Sequence, residues 1–170
     1  MTEVLVLCTG NASRSVMAGF MLEHLAPELT IVTAGTHTID GQPMGMRTRN
    51  AISTIPELAG TSFTAHRSRQ VYEADIVRAD VVVVMEADHA RYVRRIFPQA
   101  ADRTGMIRRL CADLVAAPPE LSVRLRALDL AEVTLSDDDD VTDPAGRDEE
   151  VYAACAAELW ELCRQLVTKM

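Results

Sequence analysis

Val4-Leu5-Val6-Leu7-Cys8-Thr9-Gly10-Asn11-Ala12-Ser13-Arg14-Ser15 is the stretch on which the fold turns. Glu3 to Leu7 reads as a short apolar strand that runs into a polar turn. From Ser15 onward Met17, Phe20, Met21 and Leu25 recur at helical spacing, so the turn feeds a helix. In open α/β sheets ligands bind beyond the carboxyl ends of strands. A helix N-terminus at that edge offers unpaired N–H groups and a positive dipole end, which together favour an anion. Gly10 is expected to permit torsions that a side chain would resist, and Asn11 is among the few other residues that tolerate a left-handed backbone. The loop from Thr9 through Gly10, Asn11, Ala12 and Ser13 to Arg14 and Ser15 is therefore read as an anion nest.

Outward from this loop, strand and helix alternate. Thr30 to Thr33 reads as a second strand closed by Ala34-Gly35-Thr36, and Met46 to Leu58 as a helix disturbed near its end by Pro56. Asp80 to Met85 holds four consecutive valines, the pattern of a strand buried on both faces of a parallel sheet. Ala87 to Ile96 is a helix that Pro98 helps to stop, and Glu149 to Val167 is the last and longest helix. Between them, Met106 to Leu114 and Leu121 to Leu130 look helical, so residues 100–135 are read as a helical insertion. The alternation predicts one α/β domain over residues 1–170, a sheet with helices on both faces.

A length of 170 residues suits one compact domain, and 48% hydrophobic residues supply a core for it. A net charge of −8 argues against a nucleic-acid partner, because phosphate backbones attract basic patches. No apolar run approaches the roughly 20 residues of a helical membrane crossing, and the N-terminus has no basic leader, so neither a membrane nor a secretory route is expected. Cys8, Cys111, Cys155 and Cys163 are widely spread, which fits reduced thiols in a cytoplasm better than a disulfide framework. His24, His37, His66 and His89 have no metal-ligand spacing, so no metal and no cofactor is expected.

The loop's residue types point to one chemistry. Helix N-termini and nearby cations favour the thiolate of a cysteine placed like Cys8. Arg14 offers a permanently charged planar fork that matches two phosphate oxygens. Ser15 can donate a hydrogen bond to the sulfur. A soft nucleophile at the floor of an anion hole suits in-line attack on phosphorus, with the donors stabilising charge on the equatorial oxygens. The departing group then needs a proton from a carboxylic acid elsewhere in the chain. Asp143 is the candidate, because Pro144 restricts its backbone and Gly146 permits a sharp turn just before the last helix. The neighbouring run Asp137 to Asp140 reads as a solvated loop.

Leu7-Cys8-Thr9-Gly10-Asn11-Ala12-Ser13-Arg14-Ser15, together with Asp143-Pro144, resembles the low-molecular-weight protein tyrosine phosphatase family. The likeness continues through Thr33-Ala34-Gly35-Thr36, His66-Arg67-Ser68-Arg69 and Asp80 to Met85. It implies a four-stranded parallel sheet, a phosphocysteine on Cys8, phosphoryl binding by Arg14, and Asp143 as the acid that later activates water. It also implies that Asn11 holds the loop's backbone, with His66 and Thr33 supporting it. Substrates would be phosphorylated proteins or small phosphomonoesters, with phosphotyrosine the leading expectation. Ser13 stands where the family has a second cysteine, Ala12 where it has a bulkier residue, and Ala145 where it has an aromatic one.

Three alternatives stay open. A phosphoarginine phosphatase uses the same catalytic parts, with threonine where Ala12 stands. A thioredoxin-coupled arsenate reductase shares the loop pattern but needs further cysteines after the central strand, and Met85 to His89 contains none. A non-catalytic phosphate-binding module would need no leaving-group acid. Oligomeric state is not legible.

Overall fold

The four strands β1 (Glu3–Cys8), β2 (Thr30–Gly35), β3 (Val81–Val84) and β4 (Thr104–Met106) form a parallel sheet in the order β2-β1-β3-β4. The computed structural model describes all 170 residues. Cys8 pairs in register with Gly35 and Leu7 with Val84, so the central strand β1 delivers Cys8 to the carboxyl edge of the sheet. The strand order reverses beside β1, the arrangement that opens a crevice for a ligand.

Side chains of β1 alternate, as a pleated strand requires. Val4, Val6 and Cys8 join a large apolar cluster, and Leu5 and Leu7 a smaller one. The larger cluster takes in α1 (Arg14–Leu25), α2 (Met46–Ser53), α5 (Ile107–Asp113) and α7 (Glu149–Val167). The smaller takes in residues of α3 (Glu73–Arg78) and α4 (Ala87–Ile96). The sheet is thus covered on both faces. All four valines of β3 are fully buried, two in each cluster.

The elements differ from the sequence reading in a few places. Pro56 begins a separate 3-10 turn, Pro56–Leu58, because α2 has already ended at Ser53. Residues 100–135 are not purely helical. They contain β4, whose three residues are too few to show a period, followed by α5 and then α6 (Leu121–Arg126). Arg124 of α6 is buried and donates to the carbonyls of Val115, Pro119, Lys169 and Met170, tying this stretch to the chain's end. No helix is long and apolar enough to cross a membrane.

Candidate active site

The loop between β1 and α1 is an anion nest by its hydrogen-bond balance. No backbone N–H from Thr9 to Ser13 finds an acceptor within the protein. Asn11 and Ser13 are buried, and buried backbone donors are nearly always paired, so the free N–H groups of this run mark a place for an external acceptor. The left-handed residue of the loop is Asn11, at φ 49°. Gly10 does not adopt that conformation, contrary to the reading from sequence. A side chain there would meet no protein atom within 4 Å, so Gly10 instead leaves the cavity it lines unobstructed. The glycine that the loop needs is Gly35 on β2. A Cβ there would lie 2.5 Å from the Thr9 carbonyl oxygen and 3.0 Å from the Asn11 nitrogen.

Asn11 is buried and holds its strained backbone through every polar atom of its side chain. Its Nδ2 donates to Thr33 Oγ1 at 3.0 Å and to Ser15 Oγ at 3.1 Å, while Oδ1 accepts from the Arg69 N–H at 3.0 Å. The carbonyl of Asn11 accepts from His66 Nε2 at 3.0 Å, which fixes the proton on that nitrogen. Burial lowers the His66 pKa, the bond to Asn11 opposes the shift, and Arg67 adds to it. Because Ser15 Oγ accepts from Asn11, its own proton is left for Cys8 Sγ, 3.0 Å away. Thr48 of α2 braces the next turn, donating to the Ala12 carbonyl at 3.0 Å and accepting from Ser13 Oγ at 3.2 Å.

Arg14 is 1% exposed and has three partners. Nη1 bonds Glu86 Oε1 and donates to the Val141 carbonyl at 2.9 Å, and Nη2 lies 3.0 Å from Asp143 Oδ2. The Asp143 side chain is 42% exposed. Its other oxygen accepts from the Ala145 N–H at 3.0 Å, a turn that Gly146, at φ 75°, allows to continue. The segment before it is spliced to the end of β3. Val141 N–H donates to the Met85 carbonyl at 2.8 Å, and Asp140 Oδ1 accepts from Ala87 N–H at 2.7 Å, closing the N-terminus of α4. Asp140 is thus an anchor, while Asp137 faces Arg91 and Asp139 faces Arg109 at the surface. Cys8, Gly10, Ala12, Arg14, Asp143 and Ala145 come together around a cavity of about 220 Å³.

Glu86 and His89 were not singled out from the sequence. Glu86 follows the valine strand at the carboxyl edge of the sheet, and that position is the signal that points to it. Its Oε2 is 3.5 Å from His89 Nε2, which also bonds Thr9 Oγ1 at 2.9 Å. Burial first, and the Arg14 charge second, lower the His89 pKa to about 4. The other thiols are packing groups. Cys111, Cys155 and Cys163 are buried, and burial pushes the Cys155 thiol up to about 12.

A thiol, a guanidinium and a carboxyl come together beside a run of free N–H groups at the carboxyl edge of a parallel sheet, an arrangement suited to a phosphoryl group. The chain belongs to the low molecular weight phosphotyrosine protein phosphatase family, whose profile matches residues 3–122. It is 27% identical over 169 residues to a protein-arginine-phosphatase of Geobacillus stearothermophilus, covering 99% of this chain and 95% of that one. It is 32% identical over 108 residues to a putative low molecular weight protein-tyrosine-phosphatase of Klebsiella pneumoniae, covering 61% and 69%. Among solved structures, the low molecular weight protein tyrosine phosphatase of T. tengcongensis superposes with a TM-score of 0.78 at 25% identity over the full length of both chains.

Proposed function

We propose that the chain hydrolyses phosphorylated proteins through a phosphocysteine on Cys8, with phosphotyrosine as the leading substrate. The observation that carries this reading is the run of five unpaired N–H groups beside the Cys8 sulfur, with Arg14 at its end. Those donors and the guanidinium take the three non-bridging oxygens of the phosphoryl group, and Cys8 attacks phosphorus opposite the leaving oxygen. The P–O bond breaks as S–P forms, and Asp143 gives its proton to the departing oxygen. Ser15 Oγ steadies the thiolate before attack and after release. Asp143, now a carboxylate, takes a proton from water, whose oxygen displaces the sulfur and yields inorganic phosphate. The four free cysteines support a reducing, cytoplasmic setting.

Phosphoarginine is a second reading with its own support. Ala12 and Ala145 line the cavity, so no aromatic ring walls it for a phenol. Asp143 already pairs with a guanidinium, the group that phosphoarginine would present on departure. A relative matched over 99% of this chain and 95% of its own is named a protein-arginine-phosphatase.

Initial rates on one peptide carrying phosphotyrosine, phosphoserine or phosphoarginine, for the native chain and Cys8→Ser, test both. The expected result is turnover of phosphotyrosine abolished in Cys8→Ser. A native rate from Cys8→Ser would defeat the mechanism, and exclusive turnover of phosphoarginine would select the second reading.

A further inference from the structure

A second cavity, of about 380 Å³, adjoins the first at Thr9. Thr9 lines both, and the His37 N–H donates to its carbonyl at 2.9 Å, so the loop after β2 forms a wall of the second cavity. Its two carboxylates and two guanidiniums balance in number, but not in their pairing. Glu86 is engaged by Arg14 and faces His89, and Asp88 pairs with Arg91 at 2.6 Å. Arg95, by contrast, makes no side-chain hydrogen bond or ion pair, so one guanidinium of the lining is left without a partner. Two further donors face the same space. Tyr92 Oη accepts from Gln70 Nε2 at 3.3 Å, which leaves its own proton free. His37 uses Nδ1 toward Thr36 Oγ1 at 3.3 Å and keeps Nε2 uncommitted, its ring set edge-on to Tyr92 at 5.5 Å.

We propose that this cavity is a substrate subsite for the carboxylate of an aspartate or glutamate flanking the phosphorylated residue, gripped by Arg95 with Tyr92 and His37. The inference rests on the Cys8 cavity being a phosphopeptide site. The shared Thr9 wall argues for a peptide rather than a free anion. An extended chain advances about 3.3–3.6 Å per residue, so a residue one to three positions from the phosphorylated one reaches past Thr9. A carboxylate there would meet charge-assisted donors without displacing an existing ion pair.

The test compares native chain, Arg95→Ala and Tyr92→Phe on an aryl phosphate and on two phosphopeptides that differ only in acidic or alanine flanks. Binding of both peptides to Cys8→Ser is titrated in parallel. The native chain should favour the acidic peptide about tenfold in kcat/KM, the scale of one hydrogen bond to a charged group. Arg95→Ala should erase that preference through KM, with its rate on the aryl phosphate unchanged. No preference in the native chain, or one that survives in both variants, would overturn the proposal. If the aryl phosphate is not hydrolysed, the reading of the Cys8 cavity fails, and the titration still decides the subsite.

Discussion

Asp143 Oδ2 stands 3.0 Å from Arg14 Nη2, so the candidate acid and the phosphate-gripping guanidinium hold each other. Arg14 has five N–H donors, and with Asp143 beside Nη2 there remain a second Nη2 proton and Nε–H for a pair of phosphoryl oxygens. Glu86 and the Val141 carbonyl hold Nη1.

Asp143→Asn is expected to separate binding from chemistry. With the Asp143 carboxylate no longer beside Arg14 to repel an anion, inorganic phosphate should inhibit several-fold more strongly. The rate with poor leaving groups should fall about a hundredfold, the usual scale of general acid catalysis, and less with good ones. Inhibition constants and a leaving-group series measure both. Weaker phosphate binding with a uniform rate loss would assign Asp143 a purely structural part.

Glu86→Gln should act chiefly on Arg14. The amide oxygen can still accept from Nη1, but the buried guanidinium loses one of its two opposite charges, a loss on the order of 2 kcal/mol. Denaturant midpoints should fall accordingly, and KM for an aryl phosphate should rise as Arg14 loses its fixed position. An unchanged midpoint and KM would show that Val141 and Asp143 suffice.

His89 should make stability depend on pH in a defined window. Its pKa is lowered from 6.5 to about 4 in the fold, chiefly by burial. Between those values the unfolded chain binds a proton that the folded one excludes. Stability is thus fully present above pH 6.5 and falls as pH drops toward 4, by on the order of 3 kcal/mol. Urea midpoints at pH 7 and pH 4.5 should differ less in His89→Gln than in the native chain. Equal differences would remove His89 from the account.

Asn11 carries both the left-handed torsion and the loop's hydrogen bonds, and two substitutions tell these apart. Asn11→Gly keeps the torsion and loses the bonds, while Asn11→Ala loses both. The alanine variant should be about 1 kcal/mol less stable than the glycine variant, and both should lose at least tenfold in kcat. Thermal unfolding and turnover measure this. Equal stability would mean that the loop relaxes out of its left-handed turn.

Much of this was legible because the strands are buried and apolar. Val4 to Leu7 and Val81 to Val84 announce themselves by composition, and Ala87–Ile96 and Glu149–Val167 by helical spacing and flanking residues. Thr104–Met106 does not, because a three-residue strand containing a glycine has neither period nor propensity. The loop's residues could be read in sequence since they are contiguous. The contacts of Glu86, Thr48 and His89 with it span 72, 36 and 80 positions and exist only once the sheet and helices have formed. Gly10 was misjudged because a glycine in a loop suggests a torsion, whereas here it keeps a cavity open.

The most direct measurement is acid quenching during turnover of a labelled phosphopeptide, followed by mass analysis of the fragment containing Cys8. A phosphoryl group bound to the Cys8 sulfur, building up within one turnover and absent in Cys8→Ser, is the predicted result. Sustained hydrolysis with no phosphoryl group on that fragment would contradict the account.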